Sequence, residues 1–327
     1  MVRYWCTLAL LLIGAVLFGA CAGHTWVTPA DVLNAAMGDT SMQAMLLREW
    51  RLPRVVAALL VGALLGLGGA IFQGVFRNPL AEPYLLGSAG GAALGATIAL
   101  LVPLSLSQAF ALPLFAFLGA WGATLLVIGV ARTAGALDVP TLLLSGVAIS
   151  AVLGALRSFL MLALSDETVS LQVVLSWVLG GMQTPTWGGV GILAALTLVS
   201  LFACIALAPG LDRLGLGETM ATAYGMDVHR FVMLAVLVAA ATVAISVSVG
   251  GLVGFVGLAA PHIARWHLGP LHRVVIPASA AIGAILVTVA DAIARSALPP
   301  AEIPLGLVTA VAGGPFFLLL LARSRKW

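Results

Sequence analysis

The sequence predicts an all-α, polytopic membrane protein of about ten transmembrane helices. Three observations carry that reading. Of 327 residues, 62% are hydrophobic and 8% charged, where an ordinary soluble domain is about 25% charged. The mean hydropathy is +1.15. Apolar runs of about 20 residues, the length needed to cross a hydrocarbon core, recur along the whole chain between clusters of Pro, Gly and charge. A soluble fold of this size could not wet its surface with so few polar groups, so a soluble enzyme is excluded. Short loops leave no room for a sizeable soluble domain, and residues 1–327 read as a single transmembrane domain.

The candidate spans are 6–27, 53–75, 86–104, 112–131, 141–163, 189–208, 231–250, 252–266, 274–295 and 304–322. The first has the look of a lipoprotein or secretory signal, with Arg3, an apolar run and Phe18-Gly19-Ala20-Cys21. Phe is a poor residue three before the cysteine, and everything downstream is also membrane-spanning, so an uncleaved first helix is expected. Pro53 suits a first helical turn. The span 252–266 is short and holds Pro261, so a broken helix is expected there. The piece 170–182 has helical apolar spacing at Val173, Val174, Trp177 and Val178 but is too short to cross. It reads as a re-entrant or interfacial helix whose ends protein or water must satisfy. The pairs Gly62/Gly66 and Gly91/Gly95 read as close helix packing. One polar stretch, about 209–230, carries Asp212, Arg213, Glu218, Asp227, His229 and Arg230 and reads as a large cytoplasmic loop.

With the N-terminus inside and ten crossings, ten of the fifteen basic residues fall on the inner side. The positive-inside rule favours this orientation, which puts both termini in the cytoplasm. Arg48, Arg51, Arg54, Arg157 and Arg295 fall toward the outside. Arg48, Arg51 and Arg54 are spaced i, i+3, i+6 and share one face if the helix already runs through them. Two readings fit these outward charges: headgroup anchoring by snorkelling, or a basic rim that docks an acidic partner.

Several activities lack their residues. The one lysine, Lys326, cannot build a Walker A loop, so if ATP powers the chain a partner supplies the site. No H-E-x-x-H or C-x-x-C occurs, and Cys6, Cys21 and Cys204 lie apart in apolar stretches, so no metal site is expected. His262, His267 and His272 are spaced by five, which puts them on different helical faces. An intramembrane enzyme could draw on Ser145, Ser150 and His262, but no Gly-x-Ser-x-Gly or paired-aspartate pattern supports it. An ion-coupled secondary transporter would need an essential intramembrane acid, for which Asp291 is the fair candidate. Asp291 and Arg295 stand i, i+4, the spacing of a local ion pair. Trp177 and Trp187 flank the short helix as candidates for contact with cargo.

The run Arg51-Leu52-Pro53-Arg54, then Gly62, Gly69, Gln73 and Arg77-Asn78-Pro79-Leu80-Ala81-Glu82-Pro83-Tyr84-Leu85-Leu86-Gly87, resembles the FecCD family. Its members are permease subunits of binding-protein-dependent ABC importers for iron-siderophore, haem and vitamin B12. Four later blocks match in order: Trp177 to Gly181; Leu216-Gly217-Glu218 with Ala221 and Gly225; Gly254 to Leu258 with Pro261 to Arg265, His272 and Arg273; and Asp291, Arg295, Glu302, Pro304 with Gly313 to Phe317. Members of the vitamin B12 type are especially similar, through Cys21-Ala22-Gly23, Trp26 and Pro29. The resemblance implies a vitamin B12 permease-like, type II ABC importer fold in the bacterial inner membrane, working as a homodimer. It implies an iron chelate or corrinoid as cargo, an external binding protein, two cytoplasmic ATPase subunits that hold the ATP–Mg, no cofactor in this chain and no nucleic acid. It places binding-protein docking on Arg51, Arg54 and Arg295. It places ATPase coupling on Leu216, Gly217, Glu218, Ala221 and Gly225, in a loop of two short helices. It places the inner gate at the turn 136–141, where Val139 and Pro140 stand in place of the small hydroxyl residues many members carry. An apolar gate of this kind closes by excluding water.

Overall fold

Away from water only intrahelical hydrogen bonds satisfy every backbone N–H and C=O, so each long apolar run folds as a helix. The computed structural model describes residues 2–133, 139–164 and 168–324. Among these lie fourteen α-helices and no β-strand. They are α1 (Val2–Cys21), α2 (Pro29–Ala36), α3 (Met42–Leu46), α4 (Leu52–Val75), α5 (Ser88–Leu101), α6 (Gln108–Thr133), α7 (Val139–Leu164), α8 (Thr168–Val178), α9 (Trp187–Leu214), α10 (Glu218–Ala223), α11 (Val228–Gly250), α12 (Val256–Leu268), α13 (His272–Ser296) and α14 (Leu305–Ser324). Seven segments among the described residues are long and apolar enough to cross a membrane: α1, the continuous stretch Met42–Val75, α6, α7, α9, α11 and α13. Helices α5, α12 and α14 occupy the other three expected positions; α5 and α12 are shorter than the runs read from the sequence, and α14 matches its run in length. The chain is a multi-pass, all-α membrane protein.

Helix α4 is the centre, and α13 packs along it more extensively than any other pair. Small residues let the two backbones touch. A Cβ on Gly62 would lie 2.2 Å from the carbonyl oxygen of Gly283, and one on Gly66 would lie 2.0 Å from that of Ser279. The same device joins α5 to α6, where Gly91 and Gly119 face each other's carbonyls at 2.0 and 2.1 Å. Close backbone approach of this sort replaces the hydrophobic drive that lipid removes. Helix α7 is different: none of its most apolar window is buried within the chain.

The expected break in 252–266 falls before the helix and not at Pro261, which α12 carries within it. Residues 251–255 are unwound between α11 and α12. Side chains satisfy that backbone: the Tyr84 hydroxyl donates to the Val253 carbonyl at 3.1 Å and accepts from its N–H at 3.2 Å, and the Glu82 carboxylate accepts from the Phe255 N–H at 3.1 Å. Non-helical backbone at membrane depth survives only when protein pairs it in this way. The short helix α8 also fits its re-entrant reading. Beyond it, the Leu179 and Gly180 carbonyls accept from Gly306 and Leu305, and Gln183 donates to the Val249 carbonyl.

Between α1 and α4, the small helix α2 starts on a capping box, with Thr28 and Asp31 bonding reciprocally. Hydrogen bonds from the Thr28 backbone and then its hydroxyl hold the Asp31 carboxyl below the usual carboxylate range. The contribution of this cap is therefore complete above the ordinary Asp range and is lost as pH falls through the lowered value. Hydrogen exchange at the α2 amides, followed against pH, checks this: protection should be flat near neutrality and fall only in strong acid.

Candidate functional site

Two charged clusters sit at opposite ends of the α4/α13 pair. The first gathers the three arginines. The helix runs through Arg51, entering at Met42 and widening to a π turn over Leu47–Arg51, with the Leu52 N–H bonded to the Leu47 carbonyl. Pro53 has no N–H for the Glu49 carbonyl, which favours such a widening. The π turn separates the three basic residues instead of stacking them. Arg48 turns to its exposed neighbour Glu49 at 3.5 Å. Arg51 reaches back to the carbonyls of Ala20, Cys21 and Thr25 at 3.3, 3.4 and 3.0 Å, over Gly23, where a Cβ would come within 2.7 Å of its guanidinium. Arg54 lies between two acids, Asp291 at 3.1 Å and Glu302 at 2.8 Å.

Arg295 completes this cluster from α13. It bonds Asp291 at 2.8 Å, as the i, i+4 spacing anticipates, and the carbonyls of Ala22 and Gly19 at 2.9 Å each. These two chains are almost sealed, with Asp291 1% and Arg295 6% exposed, whereas Glu302 is 54% exposed. The structure thus brings Arg51, Arg54 and Arg295 together, as the sequence suggested, but turns them inward. Their guanidiniums line or underlie a cavity of about 250 Å³ with His24, Trp50 and Glu302 on its wall. Glu302 is the exposed member of the cluster, and Arg51 and Arg54 are partly buried beside it.

The second cluster lies at the other end. Helix α9 does not stop at Pro209 but runs on to Leu214, so the stretch 209–230 holds one separate short helix, α10, where two were expected. Ala208, Leu211 and Leu214 are buried and hold the extension in place despite the proline. Gly217 and Gly225 bracket α10 with φ of +102° and +79°. Those left-handed turns suit glycine, and a side chain there costs on the order of 1–2 kcal/mol. Glu218 opens α10 and pairs with Arg77 of the turn after α4 at 2.6 Å. Leu216 before α10, Met220 within it and Tyr224 at its C-cap are exposed apolar side chains, while Ala221 is fully buried. Tyr224 was missed from the sequence. Arg77 and Glu218 are largely exposed, so Arg77→Ala should change thermal stability by less than about 1 kcal/mol. A larger drop in the unfolding midpoint would mean that the pair holds the fold itself.

The model of the FecCD transport family matches residues 10–323. The chain belongs to that family. It is 38% identical over 325 residues to the vitamin B12 import system permease proteins BtuC of Salmonella typhi and of Salmonella newport (strain SL254), covering 99% of this chain and 96% of each of theirs. A solved structure described as that of a metal-chelate type ABC transporter, in an inward-facing conformation, superposes with a TM-score of 0.87 at 29% identity, over 99% of this chain and 100% of that one. PsaBC from Streptococcus pneumoniae, solved with a Fab, shares the fold with a TM-score of 0.59 at 19% identity.

Against that family background, the remaining candidates take these places. Val139 and Pro140 open α7, Val139 half-buried against the core and Pro140 exposed. Thr141, the last residue of the expected gate turn, follows in α7, and Ala136 to Asp138 lie outside the described residues. The three histidines have separate neighbours: His262 sits edge-on to Trp266, His267 stacks on Tyr4, and His272 bonds Asp212. Trp187 donates to the Arg48 carbonyl at 3.0 Å, and Trp177 is buried.

Proposed function

We propose that the chain is the permease subunit of an ABC importer in the bacterial inner membrane, passing an iron chelate (siderophore or haem) or vitamin B12 inward. The carrying observation is the pair of unlike charged clusters at opposite ends of one helix pair. The Arg54 end faces outward and receives the binding protein; the Glu218 end faces the cytoplasm, with both termini, and receives two ATPase subunits that hold the ATP–Mg. The permease works as a homodimer, and the unburied face of α7 offers surface for the second copy. Val139 and Pro140 stand at the cytoplasmic start of α7 as an apolar gate. The chain does no covalent chemistry and binds no cofactor or metal of its own.

At the Arg54 end, docking works by exchange. Glu302 is half-exposed and bonds Arg54 from a short connection, so an incoming carboxylate of the binding protein can replace it. Arg51 reinforces the positive field beside it, and Arg295, through Asp291, sets the Arg54 geometry. At the Glu218 end, the exposed side chains of Leu216, Met220 and Tyr224 enter the ATPase, and the turns at Gly217 and Gly225 fix the angle of α10. The alternative of an ion-coupled transporter needs a free intramembrane carboxylate, and two arginines already engage that of Asp291.

Charge reversal at Arg54 tests the docking half. Arg54→Glu should weaken binding-protein capture by purified transporter in nanodiscs at least about tenfold at low salt. Unchanged affinity at low salt would remove docking from this rim. The coupling half is read by ATP hydrolysis and uptake together. Gly225→Val should preserve hydrolysis and depress uptake per ATP; intact coupling would place the ATPase contact elsewhere.

A further inference from the structure

Helix α13 begins without a cap of its own. Leu271 holds the N-cap position and makes no side-chain bond to the first turn. Six residues on, Pro277 supplies no N–H for the Arg273 carbonyl. A helix start this poorly bonded is a weak joint. The missing acceptor comes from another helix, sixty residues earlier in the chain. The Asp212 carboxylate, in the last turn of α9, accepts from the His272 main-chain N–H at 2.9 Å and from its ring Nδ1 at 2.7 Å. For the second bond Nδ1 must carry the hydrogen. The other ring nitrogen, Nε2, lies against α4, where a Cβ on Gly74 would come within 2.7 Å of it. The carboxylate and imidazole therefore tie α9 to α13, with the buried Nε2 packed against α4 without a hydrogen bond among the described residues.

The position of that point gives it meaning. Asp212 is six residues before Glu218, so it sits at the root of α10. From His272, α13 climbs about 28 Å to Asp291, nineteen residues on. There the Asp291, Arg295 and Arg54 cluster locks it to α4. Between the two ends, the backbone contacts at Gly62/Gly283 and Gly66/Ser279 leave α13 no room to slide on α4 alone. Displacement of α10 has two polar routes into this pair: Arg77–Glu218 to α4, exposed, and Asp212–His272 to α13, mostly shielded. The shielded bond is the stiffer route, because solvent competes with it less.

We propose that Asp212 and His272 are positioning residues for transport: they join the coupling loop to α13 and so link the ATPase face to the docking rim. The proposal rests on the importer reading given above. Its test uses the full chain assembled with its ATPase subunits in nanodiscs, with Cys6, Cys21 and Cys204 replaced by Ala. A spin label on Leu298→Cys, exposed in the connection after α13, reports motion at the rim. ATP with orthovanadate is the stimulus. The wild-type label spectrum should shift on trapping. Asp212→Ala should still hydrolyse ATP but lose the shift by about fivefold or more, the scale of a typical coupling energy. Asp212→Asn keeps an acceptor oxygen and should recover most of it. A merely structural role would lower the unfolding midpoint and leave the shift intact in folded protein. An Asp212→Ala response equal to wild type overturns the proposal. If that variant does not fold, His272→Gln keeps the main-chain bond and removes the ring bond; it should lose part of the shift, and a full response overturns the proposal. A wild-type chain that binds no ATPase subunit overturns the importer reading and this pair with it, whereas a responsive wild type with a responsive Asp212→Ala overturns the pair alone.

Discussion

Asp291→Asn is expected to cost about 3–5 kcal/mol of stability, the usual penalty for removing one partner of a buried ion pair. Asp291 is shared by Arg54 and Arg295, and its side chain is sealed from solvent. Asparagine fills nearly the same space, so packing survives while the negative charge between two buried guanidiniums disappears. Arg295 then keeps the Gly19 and Ala22 carbonyls and Arg54 keeps Glu302, while one neutral amide oxygen stands where a charged carboxylate served both guanidiniums. Thermal unfolding in detergent, followed by tryptophan fluorescence, measures the loss. Glu302→Gln is the matched control: its carboxylate is half-exposed, so the same assay should move by less than about 1 kcal/mol. Equal midpoints for Asp291→Asn and wild type would show that the buried carboxylate does not hold the rim, and would reopen an ion-coupled role for it.

Gly69→Ala is expected to be comparably disruptive, for a steric reason. A Cβ at Gly69 would lie 1.8 Å from the carbonyl oxygen of Gly257, at the first turn of α12. No rotamer relieves a clash between two backbones, so α4 and α12 must part. The separation also strains the bond from the Gln73 amide to the Leu258 carbonyl at 3.1 Å, and the contact of Arg265 with the Gln73 oxygen. Overpacking typically costs about 1–3 kcal/mol, and a backbone partner puts this site at or above the top of that range. Gly122→Ala on α6 meets nothing within 4 Å and should behave as wild type. Monodispersity in size-exclusion chromatography and the unfolding midpoint together separate the two. A well-behaved Gly69→Ala would mean that the α4–α12 contact is looser than the structure places it.

Much of the fold was legible because lipid simplifies the code. An apolar run of the right length has few structural options, and all ten expected spans correspond in order to helices. The helix ends were less legible. The span 189–208 was expected to give way to a loop at 209, yet buried Leu211 and Leu214 carry α9 past Pro209. Pro261 read as the break in its span, but the unwinding came earlier, where Glu82 and Tyr84 supply partners from a distant turn. The candidate sites followed the same pattern. Charge on the unexpected side singled out five arginines and the family resemblance narrowed them to three, whereas their inward turn was not readable, since Arg295 finds acceptors 273 and 276 residues away. The Asp212–His272 bond was invisible for the same reason: both residues looked like ordinary polar loop members until the fold brought them together.

Transport itself is the most direct test. Proteoliposomes should carry the chain with its ATPase subunits facing the medium and the ligand-loaded binding protein trapped in the lumen. Cyanocobalamin and a ferric siderophore, each with its own binding protein, serve as alternative cargoes. The account predicts that ATP added outside moves one of these cargoes from lumen to medium, only when the binding protein is inside, and with no effect of proton or sodium ionophores. Movement that proceeds without the ATPase and collapses with an ion gradient would contradict it.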